Sequence, residues 1–220
     1  LRGEREAVRS VFDDLDSHLV RNEDAVSSIS FPSLREALKQ QPASNVVLVS
    51  VPGRYAAREA HAALDAGLNV FLFSDHVAVE EELALKRKAT QAGLIVMGPD
   101  CGSAIVAGIG LAFANVVRRG PIGVVASSGT GLQEFTCLVH RAGSGISHAL
   151  GTGSRDLSDA IGGISTLAAV RALELDRGTR AIVVLSKPPG AGTLPSLMAA
   201  LAGSAKPTVG CLPGLAADAL

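Results

Sequence analysis

Small and hydroxyl-bearing residues follow an apolar run in VVASSGTGLQE, residues 124–134. Small residues let the backbone approach an anion closely, and the first amides of a following helix have no partner inside that helix. The pattern predicts either a phosphate or carboxylate site or an ordinary turn whose hydroxyls cap the helix, with equal weight on the two interpretations. The residues concerned are Ser127, Ser128, Gly129, Thr130 and Gly131.

The segment GTGSRDLSD, residues 151–159, repeats this arrangement after the next apolar run. Gly151 and Gly153 would allow close approach to an anion, and they are candidates for phosphate binding. Ser154 or Asp156 is placed to cap a short helix. Taken alone, the segment favours plain capping over ligand binding.

Lys187 opens the loop KPPGAG at the end of another apolar run. Its ammonium group could neutralise a phosphoryl or carboxylate oxygen, which makes it the one candidate catalytic residue. The alternative is a solvated surface charge, the commoner role of lysine.

Three further residues near predicted strand ends have reactive side chains. His76 and His148 are the histidines expected near a ligand, although imidazole catalysis needs an orienting partner that a sequence does not reveal. Cys101 lies in GPDCGS, where a nucleophile would be useful. Without a basic partner in sequence, a half-buried structural thiol is the favoured interpretation for it.

Residues 1–30 are predicted to form a helix and a connection, and residues 31–41 an amphipathic helix in which Ser33 and Glu36 are spaced as a capping box. The elements that position the loops above then form repeated units of apolar strand, Gly-, Pro- or Ser-rich turn and helix, with Gly67 and Gly93 placed to close the first two helices. Strands separated by helices imply crossovers and parallel sheets, in which ligands lie beyond the carboxyl ends of the strands. We therefore predict an α/β fold with two doubly wound parallel-sheet domains. The segment NVVRRGP interrupts the pattern and places the boundary between domains 1–119 and 120–220.

Composition limits the partners of the chain. Its 20 Lys and Arg residues against 21 Asp and Glu give a net charge of −1, so nucleic acid and anionic membranes are not expected partners. The three cysteines are far apart, which predicts neither disulfides nor a metal site and favours a cytoplasmic location. The amino terminus is too charged for a signal peptide.

The order of the loops resembles a known family. VSVPGRY, DAGLNVFLFSDHV and QAGLIVMGPDCGS look like the CoA-binding domain of the succinyl-CoA synthetase α-subunit, and PIGVVASSGTGLQE with GTGSRD is similar to its ligase domain. The resemblance covers residues 31–212, and more narrowly the chain looks like the FdrA group of acyl-CoA synthetase-like proteins. It implies a Rossmann-like CoA-binding domain followed by a flavodoxin-like ligase domain. It also implies a dimer or a β-subunit-like partner.

The same resemblance implies the ligands of each loop. Coenzyme A would lie against the first three strand ends, a phosphoryl group would lie at residues 127–131, and a nucleotide could take part. The small substrate would be an acyl or phosphorylated compound. The residues implied to border CoA are Pro52, Gly53, Arg54, Tyr55, Ser74, Asp75 and His76, with Pro99, Asp100 and Cys101 near its reactive end.

Three departures from the family pattern leave the activity open. The family's opening glycine-rich turn has no counterpart in residues 1–30, Lys187 stands at or near the position of a family glutamate, and PGLAADAL replaces the segment that bears the phosphohistidine. The chain could be an ADP- or NDP-forming acyl-CoA synthetase-like enzyme. It could instead be part of an oxamate carbamoyltransferase of allantoin and purine degradation, or a non-catalytic binding or assembly subunit.

Overall fold

The computed structural model describes residues 29–216 of the 220-residue chain. These residues fall into two compact units, one ending at Pro42 and the other beginning at Ala43. The predictions for residues 1–30, namely a helix and no glycine-rich turn, fall on residues 1–28 outside the described range, and residues 217–220 also lie outside it. None of the helices within residues 29–216 combines the length and apolar character needed to cross a bilayer.

The first unit contains helix α1, Leu34–Gln40, within the predicted segment. Ser33 is its N-cap, and its hydroxyl accepts a hydrogen bond from the Glu36 amide at 3.3 Å. The Glu36 carboxylate accepts from Lys39 at 2.7 Å. The predicted cap is thus confirmed for the serine, while the glutamate forms an ion pair one turn along the helix.

The second unit begins with a three-stranded parallel sheet of order β1-β2-β3. Gly67 and Gly93 follow its two crossover helices with φ of +77° and +68°, the left-handed conformation expected of closing glycines. The helices therefore end where the sequence predicted. The elements are β1 (Val46–Val49), α2 (Gly53–Asp65), β2 (Asn69–Leu72), α3 (Val79–Gln91) and β3 (Val96–Met97).

A six-stranded sheet follows, with the order β5-β4-β7-β6-β8-β9. Strands β7, β6, β8 and β9 are parallel to one another and are joined by helices, as predicted. The elements are β4 (Ser103–Val106), β5 (Ile109–Ala112), β6 (Arg119–Ala126), α4 (Gly129–Arg141), β7 (Ile146–Gly151), α5 (Ile164–Leu175), β8 (Ala181–Leu185), α6 (Leu194–Ala202) and β9 (Thr208–Cys211).

The prediction of purely parallel sheets is wrong for this second sheet, which is mixed. Strands β4 and β5 form an antiparallel hairpin, and β4 also pairs antiparallel with β7. The hairpin turns at Ala107 and Gly108, whose φ values of +52° and +84° allow a two-residue loop. This hairpin precedes the predicted domain boundary at residues 119 and 120 but belongs to the second sheet, and the boundary itself stays a prediction.

Buried side chains of both sheets pack into one apolar cluster. Phe71 and Met97 come from the three-stranded sheet, and Val125 and Ile182 from the six-stranded one. All four are at most 2% exposed. The carboxyl ends of the two sheets are therefore held in a fixed relation by shared hydrophobic burial.

Candidate functional site

The loops after β1, β2 and β3 surround a first cavity of about 380 Å³. Phe73 and Phe113 form part of its wall, with ring centroids 5.4 Å apart in an edge-to-face arrangement. Of the residues predicted to border CoA, Ser74, Asp75 and Asp100 line this cleft. Its lining is Ser50, Val51, Phe73, Ser74, Asp75, Asp100, Gly102 and Phe113.

Gly53 lets the first two loops of this cleft approach each other. A Cβ at this position would collide with the carbonyl oxygens of Asp75 and His76. Ser74 joins the same loops, because its buried hydroxyl donates to the Val51 carbonyl at 2.6 Å. The sequence motif VPGRY therefore meets the SDH segment through direct backbone packing. Arg54 and Tyr55 follow in α2, with the guanidinium 4.6 Å from the centroid of the tyrosine ring.

Asp75 and His76 form an exposed pair on the rim of the cleft. Asp75 Oδ1 lies 2.9 Å from His76 Nδ1. The hydrogen bond to His76 lowers the pKa of the Asp75 carboxyl, and the same bond raises the pKa of His76. His76 therefore has the orienting partner that the sequence alone did not reveal.

Cys101 is buried below the cleft, not exposed within it. Its side chain is 3% exposed and its thiol donates to the Ser103 carbonyl at 3.6 Å. Burial raises the pKa of the thiol to about 12. The thiolate fraction at neutral pH is negligible, so this cysteine is poorly suited to act as a nucleophile.

The segment SSGTG lies at the start of α4, as predicted. Ser128 is the N-cap and its hydroxyl accepts a hydrogen bond from the Gly131 amide at 3.2 Å. Ser127 is buried, and its hydroxyl is 2.7 Å from that of Ser186 at the end of β8. Thr130 Oγ1 lies 3.3 Å from Ser128 Oγ. The capping interpretation is thus confirmed for Ser128.

A second cavity, of about 400 Å³, lies beyond the carboxyl ends of β6, β8 and β9. Lys187 lines it and is exposed. None of residues 29–216 forms an ion pair or a hydrogen bond with the Lys187 ammonium group. The lining is Ser128, Gly131, Glu134, Phe135, Leu138, Leu185, Ser186, Lys187, Cys211 and Pro213.

The two strand-end regions lie side by side. A Cβ built on Gly129, the first residue of α4, would be 4.0 Å from the Gly102 amide nitrogen, and Gly102 lines the first cavity. Ser154 in the glycine-rich segment donates to Asp100 Oδ2 at 2.9 Å. The loop after β3, which was predicted to border CoA, therefore contacts both of the predicted phosphate-binding segments. We call this line of contact the ridge.

Gly151 and Gly153 pack directly against the loop that contains Pro99 and Cys101, and neither position has room for a Cβ. A Cβ on Gly151 would collide with the Cys101 sulfur, and one on Gly153, whose φ is +89°, would collide with the Pro99 carbonyl oxygen. Both glycines are therefore required for contact between loops, whatever their role toward a ligand.

The sequence did not reveal a buried ionic network behind this ridge. Lys86 of α3 lies 2.7 Å from both Glu82 and Asp156, and all three side chains are at most 1% exposed. Asp156 also accepts from the Ser165 and Thr166 amides at 3.1 and 2.8 Å. The prediction of a short helix directly after Asp156 is wrong, because residues 154–163 form turns. The carboxylate instead accepts from first-turn amides of α5, which begins eight residues further on. The only sequence signal was the Glu82 and Lys86 spacing, which is typical of exposed helix pairs.

His148 lies in the middle of β7, not at its end as expected. Its Nδ1 accepts from the Ala107 amide at 3.2 Å, and its Nε2 lies 3.6 Å from Asp176. These contacts hold the hairpin turn to the end of α5. Within residues 29–216, no three His, Cys, Asp or Glu side chains are grouped closely enough to hold a metal ion.

Comparison with known proteins gives the family. The uncharacterized protein YahF of Escherichia coli is 48% identical over 181 residues, which are 82% of this chain and 35% of YahF. Subunit alpha 2 of an ADP-forming succinate–CoA ligase from Archaeoglobus fulgidus is 28% identical over 161 residues, 71% of this chain and 54% of that protein. Over the matched residues this chain is succinyl-CoA synthetase α-like. The succinyl-CoA synthetase α-like chain spans a third to just over half of these relatives.

Solved structures share the fold. ATP citrate lyase from Methanothrix soehngenii, in complex with citrate and coenzyme A, is similar with a TM-score of 0.73 and 20% identity, over 86% of this chain and 32% of that chain. A dinucleotide-forming acetyl-coenzyme A synthetase of Korarchaeum cryptofilum is similar with a TM-score of 0.62 and 19% identity, over 77% of this chain and 38% of that chain. No family model matches the chain.

Proposed function

We propose that this chain forms the CoA- and phosphoryl-binding part of an ADP-forming acid–thiol ligase-like protein. The first cavity would receive the thiol arm of CoA, and the segment SSGTG with Lys187 would hold an acyl phosphate. The adjacency of Gly102 and Gly129 carries this proposal. A thiol in the first region and a phosphoryl group in the second would be close enough to react. The succinate–CoA ligase relatives support the same assignment.

The reaction that suits this arrangement is acyl transfer from phosphate to sulfur. The CoA sulfur attacks the carbonyl carbon, a carbon–sulfur bond forms and the carbon–oxygen bond to phosphate breaks. The thiol proton leaves and inorganic phosphate is released. Lys187 and the free amides of α4 would stabilise negative charge on the departing phosphate. Cys101 takes no part, because its thiol is buried and un-ionised at neutral pH.

A β-subunit-like partner supplying the nucleotide site completes the proposal, and a homodimer is the alternative assembly. We place the protein in the cytoplasm, where the free thiols of Cys101, Cys137 and Cys211 would stay reduced.

The direct test mixes the chain with CoA and a series of acyl phosphates and measures acyl-CoA by mass spectrometry. We expect acyl-CoA at a rate above the uncatalysed reaction. Lys187→Met should lower that rate by about 10²-fold, since loss of one group that stabilises developing charge costs about 10²–10³ in rate. No acyl-CoA above background, with or without a co-purified partner, would contradict the proposal.

Carbamoyl transfer is the second candidate, and the observation that favours it is Lys187. A cation in a strand-end cavity, with no ionic partner in the part of the chain that the structure describes, suits carbamoyl phosphate as well as an acyl phosphate. Transfer of a carbamoyl group between carbamoyl phosphate and oxamate by the chain and its partners would establish this function. An absence of transfer under conditions where acyl-CoA forms would exclude it. Turnover retained after combined alanine replacement of Ser128, Thr130 and Lys187 would instead favour a non-catalytic subunit.

A further inference from the structure

The second cavity has one cationic side and one apolar side. Lys187 supplies the positive charge, while Phe135, Leu138, Leu185 and Pro213 supply apolar wall. Leu138 is 50% exposed although it belongs to a helix that packs against the sheet. An exposed leucine in the same concave site as a cation that has no ionic partner among residues 29–216 suits a ligand with an anionic head and an apolar tail.

The size of the cavity exceeds what a phosphoryl group alone would fill. Its volume is about 400 Å³, and small-molecule sites span about 300–1,000 Å³. Room therefore remains beyond the head group, and the apolar residues border that room.

The polar groups that line the cavity limit which ligand tails it can bind. Ser128 accepts from the Gly131 amide, and Ser186 is bonded to Ser127. Glu134 is exposed and lines the same cavity. Its carboxylate would repel a second negative charge on the tail, as like charges do at short range.

We infer that the second cavity binds acyl phosphates, or the matching monocarboxylates, whose tail is uncharged and apolar. Dicarboxylate-derived acyl groups and the polar carbamoyl group are disfavoured there. This inference rests on the proposed function, because it assigns the acyl class of the same phosphoryl site. It depends on the cavity, on Lys187 and Glu134, and on the apolar wall.

The test uses three stable phosphonates that differ only in the tail: methylphosphonate, butylphosphonate and 3-phosphonopropionate. Binding to the full chain is measured by calorimetry, and leucine methyl signals are followed by NMR. We expect butylphosphonate to bind about tenfold more tightly than methylphosphonate, since each buried methylene adds up to about fourfold. The carboxylate-tailed probe should bind more weakly than butylphosphonate and gain affinity in Glu134→Gln. Butylphosphonate should shift the Leu138 and Leu185 methyl signals.

A variant of one leucine in the apolar wall, compared with a control leucine outside the cavity, tests whether that wall contacts the tail. Leu138→Ser should reduce the preference for the butyl tail by at least about threefold, the value of one methylene or more. Leu175→Ser is the control, because Leu175 is a 75% exposed leucine on α5 that does not line the cavity. Lys187→Met should weaken all three probes.

The outcomes separate this inference from the proposed function. Equal affinity for the methyl and butyl probes, both weakened by Lys187→Met, would overturn the apolar tail and leave the phosphoryl site standing. A butyl preference unchanged by Leu138→Ser, with no shift at Leu138 or Leu185, would also overturn it. Failure of all three probes to bind would contradict both.

Discussion

Lys86 Nζ lies 2.7 Å from Asp156 Oδ1, and both side chains are fully buried. The pair joins α3, which packs on the three-stranded sheet, to the segment just before α5. Helix α5 packs on the six-stranded sheet. Lys86 also donates to the Thr152 carbonyl at 3.0 Å. The relation between the two strand-end regions is therefore fixed by a charged contact as well as by hydrophobic packing.

We predict that Lys86→Met destabilises the chain by about 3–5 kcal/mol, the usual result of removing one partner of a buried ion pair. Two carboxylates, those of Glu82 and Asp156, would lose their buried cation. Denaturant unfolding followed by circular dichroism measures the change. Lys88→Met is the control, because its partner Asp65 is 69% exposed and the loss should stay below about 1 kcal/mol. Similar losses for the two variants would refute a special role of the buried pair.

The glycine-rich segment gives a second prediction. Gly153→Ala should cost at least about 2 kcal/mol more than Gly67→Ala, because overpacking adds to the left-handed strain that both positions share. A Cβ at Gly153 meets the Pro99 carbonyl, whereas a Cβ at Gly67 meets nothing within 4 Å. Thermal and denaturant unfolding compare the two. Equal costs would show that the packing of Gly153 against Pro99 is not tight.

Cys101 gives a prediction about pH and reactivity. Burial raises the pKa of its thiol to about 12 from 9.0, so the folded state holds the proton more tightly than the unfolded state. Its contribution to stability is fully present below pH 9 and is lost as pH rises toward 12. Wild type should therefore lose more stability over this interval than Cys101→Ala.

Thiol labelling provides an independent check of the same burial. At pH 8 Cys211, which is exposed, should react rapidly, and Cys101 should react only after unfolding. Mass spectrometry of the labelled peptides identifies each site. Rapid labelling of Cys101 in the folded chain would contradict its placement below the cleft.

The rim pair predicts a histidine titration. His76 should titrate above its ordinary value near 6.5, because its hydrogen bond to Asp75 favours the imidazolium and raises its pKa. Asp75→Asn should lower the pKa again, and Asp100→Asn should have a smaller effect. NMR titration of the imidazole proton measures both. An identical titration in wild type and Asp75→Asn would show that the pair does not form in solution.

The sequence predicted those helices and strands that are marked by a short stretch of residues. Apolar runs marked the parallel strands, and Gly67 and Gly93 marked helix ends, because only left-handed glycine closes those turns readily. The order of strand-end motifs also predicted the family. Each of these signals lies within a short stretch of the chain.

The features that the sequence did not predict depend on contacts between residues that are far apart in the chain. Asp156 reads as the cap of a nearby short helix, yet it bonds Lys86, 70 positions away, and the start of α5. The hairpin of β4 and β5 was hidden because VAGI resembles a loop unless both central residues adopt positive φ. Its pairing with β7 is likewise set by tertiary contact.

The most direct test of the central claim maps CoA on the full chain by NMR of the backbone amides. We predict saturable shifts at the loops containing Ser50, Ser74 and Gly102 that extend to Gly129. We also predict weaker binding in Phe113→Asp, which alters an exposed wall of the cleft. Millimolar CoA that shifts no amide in these loops, or shifts only residues elsewhere, would contradict it.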